Sequence, residues 1–289
     1  MQRKVIVVTG GTSGIGLAAA KELAAKGHRV FVAGRRARVE DPIERVANGG
    51  TLESLPLDVT KSESIDAAVR IVAEKTDGYG IDVLVNNAGY ATAGPILEMS
   101  EEALRAQFET NVFGLVAVTR RFAEAMIDRK NGRIVNIGSV SGRIPAPVLG
   151  AYHATKYALE ALNDAMRMEL GAFGIDVALV DPGTIKTEFA GRTIAEALAH
   201  QERGTRYGAA FANISQLEAR FGAMAASTKH TSRAILHAAL SSHPCTRYVA
   251  PRRFWLAIVL FTIIPARIYD AVARSAFGLT RRKLLGAAS

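Results

Sequence analysis

Short apolar runs alternate with longer stretches of helical spacing through the first 180 positions. "KVIVVTG" (4–10), "HRVFVAG" (28–34), "TLESLPLDV" (51–59), "IDVLVNNAG" (81–89), "GRIVNIGS" (132–139) and "GIDVALVDPG" (174–183) read as strands. Five of the six carry Val, Ile or Leu at successive positions, as parallel strands buried on both faces do. "TLESLPLDV" alternates instead, and Pro56 removes a ladder donor from it. Helical spacing fills 14–26, 62–75, 100–128 and 153–172. This rhythm predicts an α/β fold, a doubly wound parallel sheet flanked by helices and joined by right-handed crossovers. There is no repeat and no linker, so residues 1–250 are expected to form one domain.

After Gly183 the rhythm changes. Residues 187–227 are helical in composition and carry no strand pattern; 229–241 reads as a further helix and "TRYVA" (246–250) as a last strand. An insertion after a strand's C-terminal end sits where such sheets bind ligands, so 187–227 is expected to form a substrate lid. The extension 251–289 opens "PRRFWLAIVLFTIIPARIYD", in which only Thr262 is polar between Phe254 and Ile264. Eleven helical residues rise about 16 Å, roughly half a hydrocarbon core, and Pro265 stops the helix. Two short helices are predicted, 251–263 and 265–277. They cover the pocket mouth with Trp255, Leu256 and Ile268 or lie on a membrane surface, or else they form a buried core or dimer contact.

Charge sharpens that choice. From His243 onward eight basic residues face one acid, Asp270, within a chain of net charge +9. No aromatic-interleaved basic motif points to nucleic acid. A basic tail around an apolar run suggests peripheral contact with an anionic membrane through 251–283. The single Cys245 leaves no internal disulfide, and a reducing, cytoplasmic compartment is expected. The six histidines show no metal-binding spacing, so no metal is expected. The opening "MQRKVIVVTGG" is too short an apolar run for a signal peptide and leads straight into a strand.

"TGGTSGIG" (9–16) joins the first strand to the first helix. Gly10, Gly14 and Gly16, with Thr12, Ser13 and Ile15 between them, allow a tight turn and close backbone approach to a pyrophosphate on the helix N-terminus. The second strand ends "VAGRR": Gly34 stands where an NAD-selecting acid would be, followed by Arg35 and Arg36. Two guanidinium groups suit a ribose 2′-phosphate, so NADP(H) is favoured over NAD(H). "LDVT" brings Asp58 and Val59 to the third strand end, where the carboxylate can accept from adenine. "NNAG" (Asn86, Asn87, Ala88, Gly89) ends the fourth strand with small residues against the cofactor.

Tyr152 and Lys156 are four apart in "GAYHATKYALEAL", hence on one helix face. Ser139 ends the fifth strand, and Asn111 lies in the long helix beside it. Hydride transfer to a carbonyl needs a proton donor for the developing alkoxide. A tyrosine near a cation can supply it, because the ammonium stabilises the phenolate. Lys156 can play that part and hold the nicotinamide ribose; Ser139 would hold the substrate oxygen, and Asn111 a relaying water.

TGGTSGIG, Asp58, NNAG, Asn111, Ser139, Tyr152-x-x-x-Lys156 and Asp181-Pro182-Gly183, in this order, resemble the short-chain dehydrogenase/reductase family over about residues 4–190. The resemblance implies a Rossmann-like sheet of seven strands, NAD(P)-dependent alcohol/ketone chemistry, and a homodimer or homotetramer. It also implies that the segment after Pro182 and Gly183, with Ile185 and Thr187, touches the nicotinamide. A narrower similarity, to retinol, hydroxysteroid and 3-hydroxybutyrate dehydrogenases, implies a small lipophilic substrate of steroid, retinoid or acyl-chain type. Two other readings stand beside this one: a 3-oxoacyl-thioester reductase, and a membrane-associated protein that binds NADP as a sensor.

Overall fold

The computed structural model describes residues 2–185, 191, 193, 205–212 and 225–285. Its sheet is built from β1 (Val5–Thr9), β2 (Arg29–Gly34), β3 (Glu44–Arg45), β4 (Thr51–Pro56), β5 (Val83–Asn86), β6 (Gly132–Ile137), β7 (Ile175–Pro182) and β8 (Arg247–Ala250). The order is β3-β4-β2-β1-β5-β6-β7-β8, parallel throughout except for the β3–β4 pair. The sheet therefore has eight strands rather than seven. The additional one is a two-residue edge strip that the apolar pattern could not reveal, because Glu44 and Arg45 are both exposed.

Alternation inside the apolar runs explains why both faces are covered. Ile6 and Val8 of β1 pack with Leu23 and Ala20 of α1 (Gly14–Ala25), and with Ile235 further along the chain. Val7, between them, packs with Phe31, Leu84, Val118 and Phe122 on the other face. The helices of that second layer are α2 (Ser62–Lys75), α3 (Glu101–Phe108) continuing into α4 (Gly114–Asp128), and α5 (Gly150–Gly171). The long helix predicted over 100–128 is interrupted by a π turn at Glu109–Phe113. Pro56 is accommodated as the last residue of β4, with Leu57 N donating to Gly34 O at 3.2 Å beyond it.

The chain reverses its winding at β1, which lies between β2 and β5, and this is where doubly wound sheets bind ligands. Most of the expected lid lies outside the described residues, including Phe189, Ile194, Leu198, Ile214, Leu217, Phe221 and Met224. Its base is described: Ile185 bridges to Ala226, and α6 (Gly208–Ala212) buries Phe211 against Ala93. Beyond it come α7 (Thr228–Leu240), α8 (Phe254–Ile263), α9 (Ala266–Ala276) and α10 (Arg281–Leu285). Pro265 separates α8 from α9 with φ −56° and ψ 135°. No helix among the described residues is long and apolar enough to cross a membrane.

Candidate active site

The glycine turn is locked by the neighbouring strand end. Asn87 Nδ2 donates to Thr9 O and Gly10 O, both at 3.0 Å, while Asn87 N and Ala88 N donate to Thr9 Oγ1 at 2.9 and 3.0 Å. Gly10 has φ +60°, and a Cβ at Gly16 would come 2.4 Å from Asn87 Nδ2. "TGG" and "NNAG" thus form one structural unit, which shortens the strand expected over 81–89 to Val83–Asn86. Ser13 is the N-cap of α1 with no side-chain cap, so that helix end keeps its amides directed at an anion. Thr12 and Gly14 are exposed there, and Ile15 leans on the core. This backbone cradle fits a dinucleotide pyrophosphate.

Asn86 is placed differently from the other three residues of its motif. Its side chain donates to Thr119 Oγ1 and Asn136 Oδ1, and Asn136 Nδ2 reaches Asn163 Oδ1 at 3.0 Å. This buried ladder ties β5 to β6 and α5, and it commits the Asn86 amide to the protein interior. Val59 is likewise buried, close against Gly114 of α4.

At the adenosine end, a Cβ at Gly34 would come 2.8 Å from Thr12 Cγ2, so a side chain there would have to turn the exposed Thr12 side chain aside. Arg35 and Arg36 are exposed, and neither makes a hydrogen bond or ion pair among the described residues. Asp58 Oδ1 accepts from Thr60 N and Oγ1 at 3.0 and 2.7 Å. Desolvation works against its charge, but the Thr60 bonds and the charges of Arg35 and Lys61 prevail and hold its carboxyl below the usual range.

The catalytic floor is buried. Tyr152, Lys156, Ser139 and Asn111 all lie within the protein; the first three converge around the ends of β6 and β7, and Asn111 lies against the loop after β5. Lys156 Nζ donates to Ile137 O at 2.8 Å and lies 5.8 Å from the Tyr152 ring centroid. Ser139 hydrogen-bonds Tyr152 and accepts from Ser141 N at 3.1 Å. Desolvation pushes the Tyr152 phenol up to about 12; the Ser139 bond lowers it and the Asp181 charge raises it further. The expected depression of the phenol by Lys156 is therefore not what governs this geometry: burial dominates, and Tyr152 stands as a protonated acid. Desolvation also brings Lys156 down to about 8, opposed by Asp181.

Asn111 sits on the π turn, a break in helix geometry that often marks a functional position. Its amide clamps the backbone of Tyr90: Oδ1 accepts from Tyr90 N at 3.1 Å and Nδ2 donates to Tyr90 O at 2.9 Å. Nδ2 also reaches Thr155 Oγ1 at 3.1 Å, which in turn donates to Tyr152 O at 2.7 Å. The side chain thus couples the loop after NNAG to the helical turn that carries Tyr152.

Sequence reasoning missed a charged cluster behind these groups. Arg247 of β8 hydrogen-bonds Glu160 and reaches Asp181 Oδ2 at 3.3 Å, and Arg143 Nε meets Glu160 Oε2 at 3.1 Å. Desolvation first, and Glu160's charge next, push Asp181 up to about 7 against the pull of Arg247. Asp181 Oδ1 lies where a Cβ on Gly138 would come within 2.1 Å, between the carbonyl that holds Lys156 and Ser139. Glu160 was within reach of sequence reasoning, being one helical turn past Lys156 on the same face. Arg247 was not, because only the β7–β8 register sets it opposite Leu179 and beside Asp181. His153 was also missed: Ala146 N can only donate to Nε2, so Nδ1 carries the proton to Ser141 O and fixes the loop after Ser139.

Pro182 ends β7, and just after it Gly183 N donates to Ala250 O at 2.9 Å; Ile185 is buried beyond, and Thr187 lies outside the described residues. A Cβ on Gly183 would come 2.2 Å from the Phe254 ring, and the Tyr269 hydroxyl donates to Pro145 O. Trp255, Leu256 and Ile268, expected to cover the mouth, are exposed instead. Their place against the site is taken by Phe254 and Tyr269, which leave the opposite helix faces pointing outward.

Comparison with known proteins gives the family. The family profile described as short chain dehydrogenase matches residues 4–198. The chain is 36% identical to the uncharacterized oxidoreductase YbbO of Escherichia coli, with 94% of each covered. It is 33% identical to the NADPH-dependent 3-dehydrocapnine reductase of Ornithobacterium rhinotracheale, over 92% of this chain and 94% of that one. A crystal structure of a short-chain dehydrogenase from Streptomyces avermitilis superposes with a TM-score of 0.69 at 27% identity and 99% coverage of both chains. The parallel sheet with its locked glycine turn, the buried Tyr152–Lys156 pair and the match over two thirds of the length place the chain in the short-chain dehydrogenase family.

Proposed function

We propose that the protein is an NADP(H)-dependent reductase that converts a small lipophilic ketone or aldehyde, of steroid, retinoid or acyl-chain type, into its alcohol. It would act in the cytoplasm as a homodimer or homotetramer. The observation that carries the reading is the buried Tyr152, hydrogen-bonded to Ser139 and with Lys156 Nζ 5.8 Å from its ring centroid. A nicotinamide held there would supply the hydride. Ser139 and Tyr152 hold the carbonyl oxygen, and Tyr152 gives its proton to the alkoxide as that charge develops. Lys156, charged at neutral pH with a value near 8, stabilises the phenolate left behind.

NADPH over NADH rests on the crowded Gly34 and the unpaired Arg35 and Arg36, and the 33%-identical relative named for NADPH supports it. Val148, Leu149, Tyr207 and Phe211, clustered at the lid base, support a lipophilic substrate. Exposed Phe113 and Met168 on the long helices support association between copies. The test is NADPH consumption against steroid, retinal and medium-chain carbonyls beside acetoacetyl thioesters, with Tyr152→Phe as control. Turnover of a lipophilic carbonyl that the variant loses is expected. Turnover of the thioesters alone, or with NADH alone, overturns the reading.

A further inference from the structure

α8 is apolar all round, yet only one side of it is packed among the described residues. Phe254, Ile258 and Phe261, at helical spacing, face inward: Ile258 is buried, Phe254 covers Gly183, and the Phe261 ring meets Tyr269 at 4.7 Å between centroids. The opposite stripe holds Trp255, Leu256, Val259, Leu260 and Ile263, and all five are exposed, Ile263 by 69%. Ile264, Ile268 and Val272 carry that exposed surface across Pro265 onto α9. An all-apolar helix is normally buried, and contiguous exposed apolar surface marks a docking face. Thr262, the only polar residue of α8, donates to Ile258 O at 2.9 Å and so makes no demand for water.

Charge identifies what covers the stripe. Arg252, Arg253, Arg267 and Arg274 are exposed on and beside the two helices, Arg281, Arg282 and Lys283 are exposed on α10 after them, and Asp270 is the single acid among these. A second copy of the chain would bring a second set of seven cations against the first. We propose that α8 and α9 dock on an anionic lipid surface, with the stripe dipping into the interface and the arginines on headgroup phosphates. Trp255, beside Arg252 and Arg253, has the amphipathic ring that favours the boundary between hydrocarbon and water. A ten-residue helix rises only about 15 Å, so it lies on the bilayer rather than crossing it. Through Phe254 on Gly183 and Tyr269 on Pro145, docking brings the two loops framing the active site to the membrane. The inference stands apart from the substrate reading, since partition to lipid is measurable without turnover.

Trp255 is the only tryptophan in the chain, so its fluorescence reports on this face directly. The experiment titrates full-length protein with vesicles of phosphatidylcholine alone or mixed with phosphatidylglycerol, reading Trp255 emission and cosedimentation. A blue shift and pelleting with the mixed vesicles, weakened by salt, are expected. Leu260→Glu/Ile263→Glu should lower partition at least tenfold while NADPH binding persists. Arg252→Glu/Arg253→Glu keeps the apolar stripe and should lower partition by roughly tenfold or more, which tests charge even if the first variant is damaged. No shift with either vesicle, or equal and salt-insensitive binding to both, overturns the proposal. So does a lipid-free dimer that these substitutions dissociate, because the face would then join two copies.

Discussion

β1 and α8 carry nearly the same kind of residue and meet opposite fates. "VIVVT" is sealed on both sides, its Ile6 and Val8 under α1 and α7 and its Val7 under α4. "FWLAIVLFTI" buries Ile258 and presents five large side chains outward. An apolar run thus specifies that a surface leaves water without specifying what replaces the water. For β1 the replacement comes from this chain, because crossover helices must return over both faces of a parallel sheet. For α8, beyond the last strand, no later element among the described residues returns over its outer side.

That contrast and the site beside it can be tested by substitution. The largest effect is expected at the buried floor, where Tyr152→Phe removes the proton donor and little contact area. kcat should fall by about 10²–10⁴-fold with NADPH affinity kept, as steady-state kinetics and cofactor titration would show. Near-normal turnover would remove Tyr152 from its role. Next, Val7→Asp should cost about 4 kcal/mol or more, or prevent folding, since it strands a charge between two packed layers. Urea unfolding measures this, and a mild effect would contradict the sealed core.

Arg35→Ala should weaken NADPH by about 10–100-fold and NADH far less, through loss of a charged contact to the 2′-phosphate. Equal weakening of both cofactors would refute that contact. A smaller shift is expected for Asp181→Asn. Reduction requires Lys156 charged and Tyr152 protonated, so its rate should fall as pH rises past about 8. The Asp181 charge raises both groups, so removing it should move this basic limb to lower pH. An unmoved limb would sever the cluster from catalysis. Smallest of all, Leu260→Asp should change stability by only about 0.5 kcal/mol in the absence of lipid, in contrast to Val7→Asp. A large loss would mean that the stripe is packed after all.

The strands and the helices of the βα units were legible because each has one dominant period and abrupt Gly, Pro or Asn punctuation. TGGTSGIG and Tyr152-x-x-x-Lys156 were legible for a related reason, since both are local arrangements fixed by one turn or one helical repeat. The different places of the Asn86 and Asn87 side chains were not legible: neighbours on a strand point to opposite sides, and only Asn87's meets the glycine loop. β3 escaped notice because a two-residue exposed strip has no pattern to read. The sign of the Tyr152 shift was also inaccessible, because it depends on how much water the assembled fold excludes.

The sequence alone therefore determined the doubly wound layering, the glycine turn and the placing of Tyr152 and Lys156 on one helix face. Each follows from local geometry or from the need to bury apolar positions at a fixed period. Only the tertiary structure decided that Arg247, Glu160 and Asp181 form one buried cluster behind Lys156, that Asn111 braces Tyr90 from a π turn, and that α8 faces outward. These features depend on contacts between residues tens of positions apart. Strand register and helix return set such contacts, and neither is written in any single segment.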